Sequence, residues 1–220
     1  MVHYKLQYFS FRGFGEPIRL LFHYVGQNFE DEIINMENWP AYKPKTPYGH
    51  LPILFIDGKA LPESRSIARF IAKEHNFAGS DNYESERLNS IVDFLMDFFL
   101  NVFPYILAKN GFKTYQDFLN GKISNDLNEI AEKLYNELWV PNSQHDLPIL
   151  EKLLKESETG FFGKAGVTWV DFYVAELINT VEGVEPETLN KYLEVINFKR
   201  RVYELPKIKD YVETRRKSPI

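Results

Sequence analysis

The fold of this chain is decided by two neighbouring segments, Tyr48-Gly49-His50-Leu51-Pro52-Ile53-Leu54 and Glu63-Ser64-Arg65-Ser66-Ile67. The first predicts a loop and then a strand, and a proline in the tight turn between them is a candidate for a cis peptide bond. The second predicts a turn that leads into a helix. The backbone of Leu51 can pair with an extended peptide, and Ser64 at a helix N-terminus offers a hydroxyl and free N–H groups to a carboxylate. Together they predict a site for a short peptide with a carboxylate at one end.

The elements around these segments predict a small α/β domain over residues 1–79. Asp57-Gly58, between the two segments, is a strong hairpin signal, and Glu16-Pro17 opens a helix that Gly26 ends. Strands are predicted at residues 4–9, 29–34, 53–56 and 60–61, helices at 16–25 and 64–75, and a short irregular segment at 39–43. The order β-α-β followed by β-β-α is that of a thioredoxin-like domain.

Residues 80–220 predict an all-helical domain, because apolar residues recur there at helical spacing and no convincing strand pattern is left. The capping-box-like Thr168-x-x-Asp171 predicts one helix start, and Asp171 is therefore interpreted as structural. Four further helices are predicted. One begins near Tyr83, one extends from Leu127 to Leu138, and two cover about 189–198 and 206–214. The predicted fold class is thus α/β + all-α, with a thioredoxin-like N-terminal domain followed by an all-helical C-terminal domain.

Composition narrows the function classes. The formal charge of −5 argues against nucleic acid and anionic membranes as the main partners. No signal-peptide pattern or membrane-length apolar run is found, so we expect a cytoplasmic protein. The five histidines are scattered without metal-ligand spacing, so no metal is expected. The chain has no cysteine, so any thiol chemistry must use a sulfur that the ligand brings.

The motifs and their order resemble a cytosolic glutathione S-transferase over essentially the whole chain. The resemblance rests on Tyr8 at the end of the first strand, Gly49-x-x-Pro52, Glu63-Ser64, the helical second half and Thr168-x-x-Asp171-Phe172-Tyr173. The segments Tyr4-Lys5-Leu6-x-Tyr8-Phe9-x-x-Arg12-Gly13 and Asn38-Trp39-Pro40 are similar to the sigma class, which includes many nematode enzymes and the haematopoietic prostaglandin D synthase. The resemblance implies glutathione as co-substrate and a homodimer.

By this resemblance Tyr8 is the catalytic residue. A thiol with a pKa of about 8.5 is mostly protonated at neutral pH. A phenol O–H that donates to the sulfur favours the thiolate, and the nearby N-terminus of the Glu16-Pro17 helix adds positive potential. The thiolate then attacks an electrophile. The alternative is that Tyr8 is one of 13 tyrosines with a buried ring and a satisfied hydroxyl.

The resemblance also implies a set of glutathione-binding residues. They are Tyr8, Trp39, Lys43, Gly49, His50, Leu51, Pro52, Glu63 and Ser64, with Asp97 from the partner subunit. Ser64 would hold the γ-glutamyl carboxylate, Leu51 the cysteinyl backbone, and Lys43 the glycine carboxylate. Glu63, where the sigma class commonly has Gln, could pair with the α-ammonium group.

Several of these residues also have a plainer interpretation. Ser64 could be an ordinary helix cap, Trp39 simple packing, and Lys43 and Asp97 solvated charges. Tyr48 resembles an aromatic residue that inserts into the neighbouring subunit in some classes, although the sigma-class interface is often more polar.

The electrophile site implied by the resemblance is apolar and close to Tyr8, with candidates Gly13, Phe14, Phe99 and Tyr105. The predicted function is conjugation of glutathione to apolar electrophiles in detoxification. The alternatives are a glutathione-dependent prostaglandin isomerase or peroxidase, and a non-catalytic ligand-binding or structural relative. Phe14 stands where the isomerising members tend to carry Arg, which weakens the prostaglandin alternative.

Overall fold

The computed structural model describes residues 2–218 and begins with a four-stranded mixed sheet. Its strands are β1 Tyr4–Tyr8, β2 Glu30–Ile33, β3 Ile53–Ile56 and β4 Lys59–Pro62, in the spatial order β2-β1-β3-β4. β2 runs parallel to β1, whereas β3 and β4 are antiparallel to their neighbours. The predicted strands and the Asp57-Gly58 hairpin are confirmed.

Three α-helices accompany the sheet: α1 Glu16–Val25, α2 Trp39–Tyr42 and α3 Ser64–Glu74. α1 makes the crossover between the parallel strands and ends at Gly26, which adopts a left-handed conformation with φ 68°. The segment predicted as irregular is α2, one helical turn between the short 3-10 helices Met36–Asn38 and Lys43–Lys45. This half of the chain is the thioredoxin-like domain that the sequence predicts.

The second half is a helical domain, and its boundary at residue 79 stays a prediction. The helices are α4 Asn82–Lys109, α5 Tyr115–Leu119, α6 Asn128–Leu134, α7 Val140–Lys155, α8 Trp169–Val184, α9 Pro186–Leu189, α10 Leu193–Tyr203 and α11 Lys209–Thr214. Tyr135–Trp139 forms a π-helical turn between α6 and α7. Up to residue 218, the β-structure of this half amounts to one isolated bridge between Gly163 and Gly166.

Two predicted helices of this half differ from the structure. The helix predicted over 189–198 is divided, because the chain turns after α9, where the Tyr192 N–H donates to the Leu189 carbonyl at 2.8 Å, and α10 begins at Leu193. The helix predicted over 206–214 begins only at Lys209, after a turn. α5 was not predicted, since five residues are too short to show helical periodicity. α7 was not predicted either, and it contains Pro141 and Pro148, residues that usually end or interrupt a helix.

The long helix α4 is the spine of the helical domain. By length and composition it is apolar enough to cross a membrane, but 61% of its most apolar window is buried inside the fold, which makes it a core helix. It packs against α8, whose start has the predicted capping box. Asp171 accepts hydrogen bonds from the Thr168 N–H at 2.6 Å and the Phe162 N–H at 2.9 Å, and its side chain is fully buried.

Glu84, in the first turn of α4, ties the segment between the domains to the helical domain. Its buried carboxylate accepts hydrogen bonds from the Ser80 hydroxyl, from the Ser80 N–H at 2.7 Å and from the Lys164 N–H at 2.7 Å. These hydrogen bonds, led by that of the Ser80 hydroxyl, lower the pKa of Glu84 to about 2. The carboxylate form therefore stabilises the native state.

A pH-dependent stability follows from Glu84. Because its folded-state pKa lies below the ordinary value, its contribution is complete above pH 4.5 and is lost as the pH falls toward 2. Glu84→Gln should lower the free energy of unfolding at pH 7 by up to about 3 kcal/mol and flatten this acid dependence. Urea unfolding at pH 7 and pH 3 measures both, with the exposed Glu86→Gln as the matched control. Equal acid losses in wild type and Glu84→Gln would contradict the assignment.

Candidate active site

A cavity of about 470 Å³ lies between the sheet domain and the helical domain. It brings together nine of the residues predicted from the sequence: Tyr8, Gly13, Phe14, His50, Leu51, Pro52, Glu63, Ser64 and Phe99. Its size is within the ordinary range for a small-molecule site. The sheet domain contributes His50, Glu63, Ser64 and Arg65 to the lining, and the wall from the helical domain is mostly apolar, with Tyr173, Glu176 and Thr180 as polar members.

Tyr8 ends β1 with its ring buried and its hydroxyl at the cavity. The hydroxyl oxygen accepts a hydrogen bond from the Phe14 N–H at 3.0 Å. Burial raises the pKa of Tyr8 well above the ordinary value of a tyrosine, so the phenol stays protonated at neutral pH. Among residues 2–218 no acceptor contacts the Tyr8 proton. The arrangement therefore presents an O–H donor to the cavity.

Gly13 and Gly15 are required by the position of the Tyr8 ring. A Cβ on Gly13 would lie 2.5 Å from the Tyr8 hydroxyl oxygen, and a Cβ on Gly15 would lie 2.3 Å from Tyr8 Cδ1. Gly13 also has a φ of +37°, in the region that side chains disfavour. The Gly13-Phe14-Gly15 segment is thus a backbone surface on which the tyrosine ring packs.

Gly15→Ala tests this packing. The added methyl group would clash with the Tyr8 ring. If the Tyr8 hydroxyl has the role that the sequence predicts, its displacement should lower kcat for the predicted conjugation about tenfold, roughly 1.4 kcal/mol in the activation free energy. Gly183→Ala is the matched control, since a Cβ at that helical glycine meets no atom within 4 Å. The measurement is steady-state conjugation kinetics. An unchanged kcat in Gly15→Ala would show that turnover does not depend on the position of the Tyr8 ring.

The loop before β3 and the start of α3 have unusual backbone conformations. The Leu51–Pro52 peptide bond is cis, as predicted, and Gly49 has a φ of +73°. Glu63, just before α3, has a φ of 72°, which is uncommon for a residue with a side chain and is typical of strained functional sites. Ser64 follows as the first residue of α3, where N–H groups lack intrahelical acceptors.

Ser64 has a partner in the helical domain. Its Oγ lies 2.6 Å from the hydroxyl oxygen of Tyr173, which is in the second turn of α8 and also lines the cavity. Burial raises the pKa of Tyr173 to about 12, so this phenol too is protonated at neutral pH. Tyr173 belongs to the motif that begins at Thr168, but the sequence did not identify it as a site residue, because its contact with Ser64 joins two distant segments.

The apolar wall of the cavity contains several residues that sequence reasoning missed. Phe11 packs edge-to-face on Tyr8 at 5.4 Å between ring centroids and on Phe118 at 5.0 Å. Phe14 packs on Phe99 at 5.7 Å. The missed lining residues are Phe11, Pro17, Arg65, Met96, Leu100, Phe103, Tyr115, Phe118, Tyr173, Glu176, Leu177 and Thr180. The aromatic residues of α5 could not be found by periodicity, whereas apolar residues on the cavity face of α4 could.

Five predicted residues lie outside the cavity lining. Trp39 is buried against Phe9, with 5.3 Å between ring centroids. Lys43 is exposed, and its Cε lies 3.4 Å from the position of a Cβ on Gly49. Lys43 thus lies beside Gly49 in the loop that leads to Leu51, whereas Trp39 is part of the core.

Asp97 and Tyr105 point away from the cavity. Asp97 is exposed on α4 and borders a shallow second cavity of about 340 Å³ with His145 and Asp146. The structure places Tyr105 outside this cavity, where its hydroxyl donates to Glu185 and its ring packs on Trp139. Within residues 2–218, no three His, Asp or Glu side chains are grouped closely enough to hold a metal ion.

Comparison with known proteins agrees with this geometry. A glutathione S-transferase N-terminal domain model matches residues 9–81, and a glutathione S-transferase C-terminal domain model matches residues 114–215. The chain is 35% identical to glutathione S-transferase 1 of Ascaris suum, and the match covers 100% of both sequences.

Solved structures give the same result. A Nu-class glutathione S-transferase from Haemonchus contortus is 35% identical, with a TM-score of 0.84 and coverage of 100% of both chains. A monomeric glutathione S-transferase from Necator americanus is 33% identical, with a TM-score of 0.83 and coverage of 99% of this chain and 100% of that one. This chain therefore belongs to the glutathione S-transferase family, as an enzyme that uses glutathione as its co-substrate.

Proposed function

We propose that this enzyme conjugates glutathione to apolar electrophiles, with Tyr8 as the residue that stabilises the thiolate. One observation carries the proposal: the Tyr8 phenol is protonated, takes its acceptor hydrogen bond from the Phe14 N–H, and lines the cavity with its donor unused among residues 2–218. Donation of this proton to the glutathione sulfur favours the thiolate over the thiol. The sulfur must come from glutathione, because the chain has no cysteine.

The polar side of the cavity then binds the peptide. Ser64 holds the γ-glutamyl carboxylate with its hydroxyl and the N-terminus of α3. The Leu51 backbone pairs with the cysteinyl unit, as an extra strand pairs with a sheet edge. Lys43 and Trp39 lie toward the glycine end, where Lys43 pairs with the carboxylate. Glu63 faces the α-ammonium group of the ligand.

The electrophile binds on the apolar side, next to the sulfur. Phe14, Phe99 and Phe118 provide ring faces and edges there, which suit flat aromatic electrophiles. Detoxification of such compounds is the biological role we propose, in the cytoplasm. An apolar residue at position 14 gives no charged partner for a prostaglandin, so isomerisation is the less favoured activity.

The test is binding followed by turnover. The wild-type protein should be retained on a glutathione resin, elute with free glutathione, and conjugate a model aryl halide faster than it converts an organic hydroperoxide or prostaglandin H. Retention without turnover of any substrate would identify a ligand carrier instead. Failure to bind the resin would reject the glutathione site.

We further propose a sigma-class homodimer. Tyr48, with 66% of its surface exposed, protrudes from the loop before Gly49. Asp97 borders the shallow cavity between α4 and α7, on a face of α4 away from its own active site. In a dimer, Asp97 of the partner subunit would meet the ligand's ammonium group. Sedimentation equilibrium should give twice the chain mass, and Tyr48→Ala should weaken the association; a wild-type monomer would reject the dimer.

A further inference from the structure

The hydroxyl groups of Tyr173 and Ser64 meet across the boundary between the two domains. Tyr173 lies in α8, and its side chain has no exposed surface. Its hydroxyl oxygen is 2.6 Å from Ser64 Oγ, although the two residues are 109 positions apart in sequence. Both residues line the cavity, so this contact forms part of its wall where α3 begins.

Burial favours one direction for this hydrogen bond. Within residues 2–218, Ser64 is the one hydrogen-bond partner of the Tyr173 hydroxyl. If Ser64 donated its proton, the buried phenol proton would have no acceptor, and an unmade buried hydrogen bond is costly. Ser64 is only partly buried and borders the cavity, so its proton can find a partner there. Tyr173 is therefore the donor and Ser64 Oγ the acceptor.

This assignment leaves the Ser64 proton directed toward the cavity. A hydroxyl has one proton and two lone pairs, and Tyr173 occupies one lone pair. A protonated phenol is required for this, and burial raises the pKa of Tyr173 to about 12. The arrangement repeats the one at Tyr8, where the Phe14 N–H occupies a lone pair and leaves the proton for the cavity. Both active-site hydroxyls are thus set as donors.

We propose that Tyr173 is a positioning residue for glutathione: by donating to Ser64 Oγ, it makes the Ser64 hydroxyl a dedicated donor to the γ-glutamyl carboxylate. The proposal rests on the glutathione site proposed above and extends it into the helical domain. A carboxylate only accepts hydrogen bonds, so a hydroxyl already fixed as a donor binds it without reorientation. Docking of α8 on α3 thereby prepares the site before the ligand arrives.

The test compares two peptides on the wild type and on Tyr173→Phe. One peptide is glutathione, and the other is 4-aminobutanoyl-cysteinyl-glycine, which lacks only the γ-glutamyl α-carboxylate. Loss of one orienting hydrogen bond should raise the Kd and KM for glutathione about fivefold. The Kd for the second peptide should not change, and kcat at saturating glutathione should stay within about twofold, since the variant leaves Tyr8 in place.

A second measurement compares Ser64→Ala with the double variant Ser64→Ala/Tyr173→Phe, so it does not depend on how well Tyr173→Phe folds by itself. Ser64→Ala leaves the buried Tyr173 hydroxyl without its acceptor, so the double variant Ser64→Ala/Tyr173→Phe should be at least as stable as Ser64→Ala. Its Kd for glutathione should equal that of Ser64→Ala. Tyr24→Leu is the packing control, because it removes the contact between the Tyr24 and Phe172 rings at the same domain boundary without touching Ser64.

Three results would overturn the proposal. Tyr173→Phe could lower the affinity for both peptides by the same factor, which is the pattern expected of the packing control Tyr24→Leu. It could leave glutathione affinity unchanged. The double variant could bind glutathione several-fold more weakly than Ser64→Ala, which would mean that Tyr173 acts independently of Ser64. A wild type that binds neither peptide would instead reject the glutathione site itself, so the two failures are distinguishable.

Discussion

Tyr8→Phe should lower kcat for conjugation of an aryl halide about 100- to 1,000-fold, the loss typical of removing one hydrogen-bond donor to a developing or stabilised negative charge. The Phe ring fills the same space against Gly15 and Phe11, so the cavity shape is kept. Retention on a glutathione resin should be nearly unchanged, because Ser64 and Leu51 remain. The pKa of the bound thiol, followed by thiolate absorbance, should rise toward the free value of about 8.5.

Tyr4→Phe is the matched control for Tyr8→Phe. Tyr4 lies on the same face of β1 and is similarly buried, but its ring packs on Phe22, outside the cavity. Removing the Tyr4 hydroxyl should leave kcat and the pKa of the bound thiol unchanged. Equal conjugation rates in wild type and Tyr8→Phe would reject the thiolate role of Tyr8 and leave only its packing role.

Arg215→Met should cause the largest loss of stability. Arg215 follows α11, and its side chain is 6% exposed between two buried carboxylates. Its Nη1 donates to Glu16 Oε1 at 3.1 Å and to Glu176 Oε1 at 2.5 Å. Glu16 begins α1 in the first domain, whereas Glu176 lies in α8 of the second. The guanidinium therefore pairs with one buried carboxylate from each domain.

Removing this guanidinium takes a cationic partner away from two buried carboxylates, Glu16 and Glu176. Loss of one partner from a buried ion pair costs about 3–5 kcal/mol, and we expect that decrease in the free energy of unfolding by urea at pH 7. Arg19 still pairs with Glu16 at 3.2 Å, so Glu176 is the carboxylate left uncompensated. The double variant Arg215→Met/Glu176→Gln should therefore regain part of the lost stability.

The exposed neighbour Arg216 provides the control, and Arg216→Met should change stability by no more than about 0.5 kcal/mol. A similar small change in Arg215→Met would mean that the buried carboxylates are neutral in the native state. Failure of Glu176→Gln to rescue Arg215→Met would show that the loss arises from packing of the arginine stem and not from charge.

Much of the fold could be predicted from sequence because its signals are local. The Asp57-Gly58 turn, the Gly26 helix end, the Leu51–Pro52 cis bond and the Thr168–Asp171 capping box each act within a few residues. The errors were also local: α5 is too short for a periodic pattern, and the turn after Leu189 divides an apolar run that reads as one helix. Family resemblance then supplied the site residues, and the structure brings nine of them to one cavity.

The sequence by itself thus determined the order of the elements, the need for an external sulfur, and the segments Tyr48–Leu54 and Glu63–Ile67 that frame the proposed peptide site. Only the tertiary structure decided how that site is prepared. Tyr173 meets Ser64 across 109 residues and Arg215 meets Glu16 across 199, and Gly15 is fixed by the ring of Tyr8. The first two contacts depend on how the two domains pack and the third on how the loop before α1 packs on β1, whereas sequence patterns report only the conformational preferences of neighbouring residues.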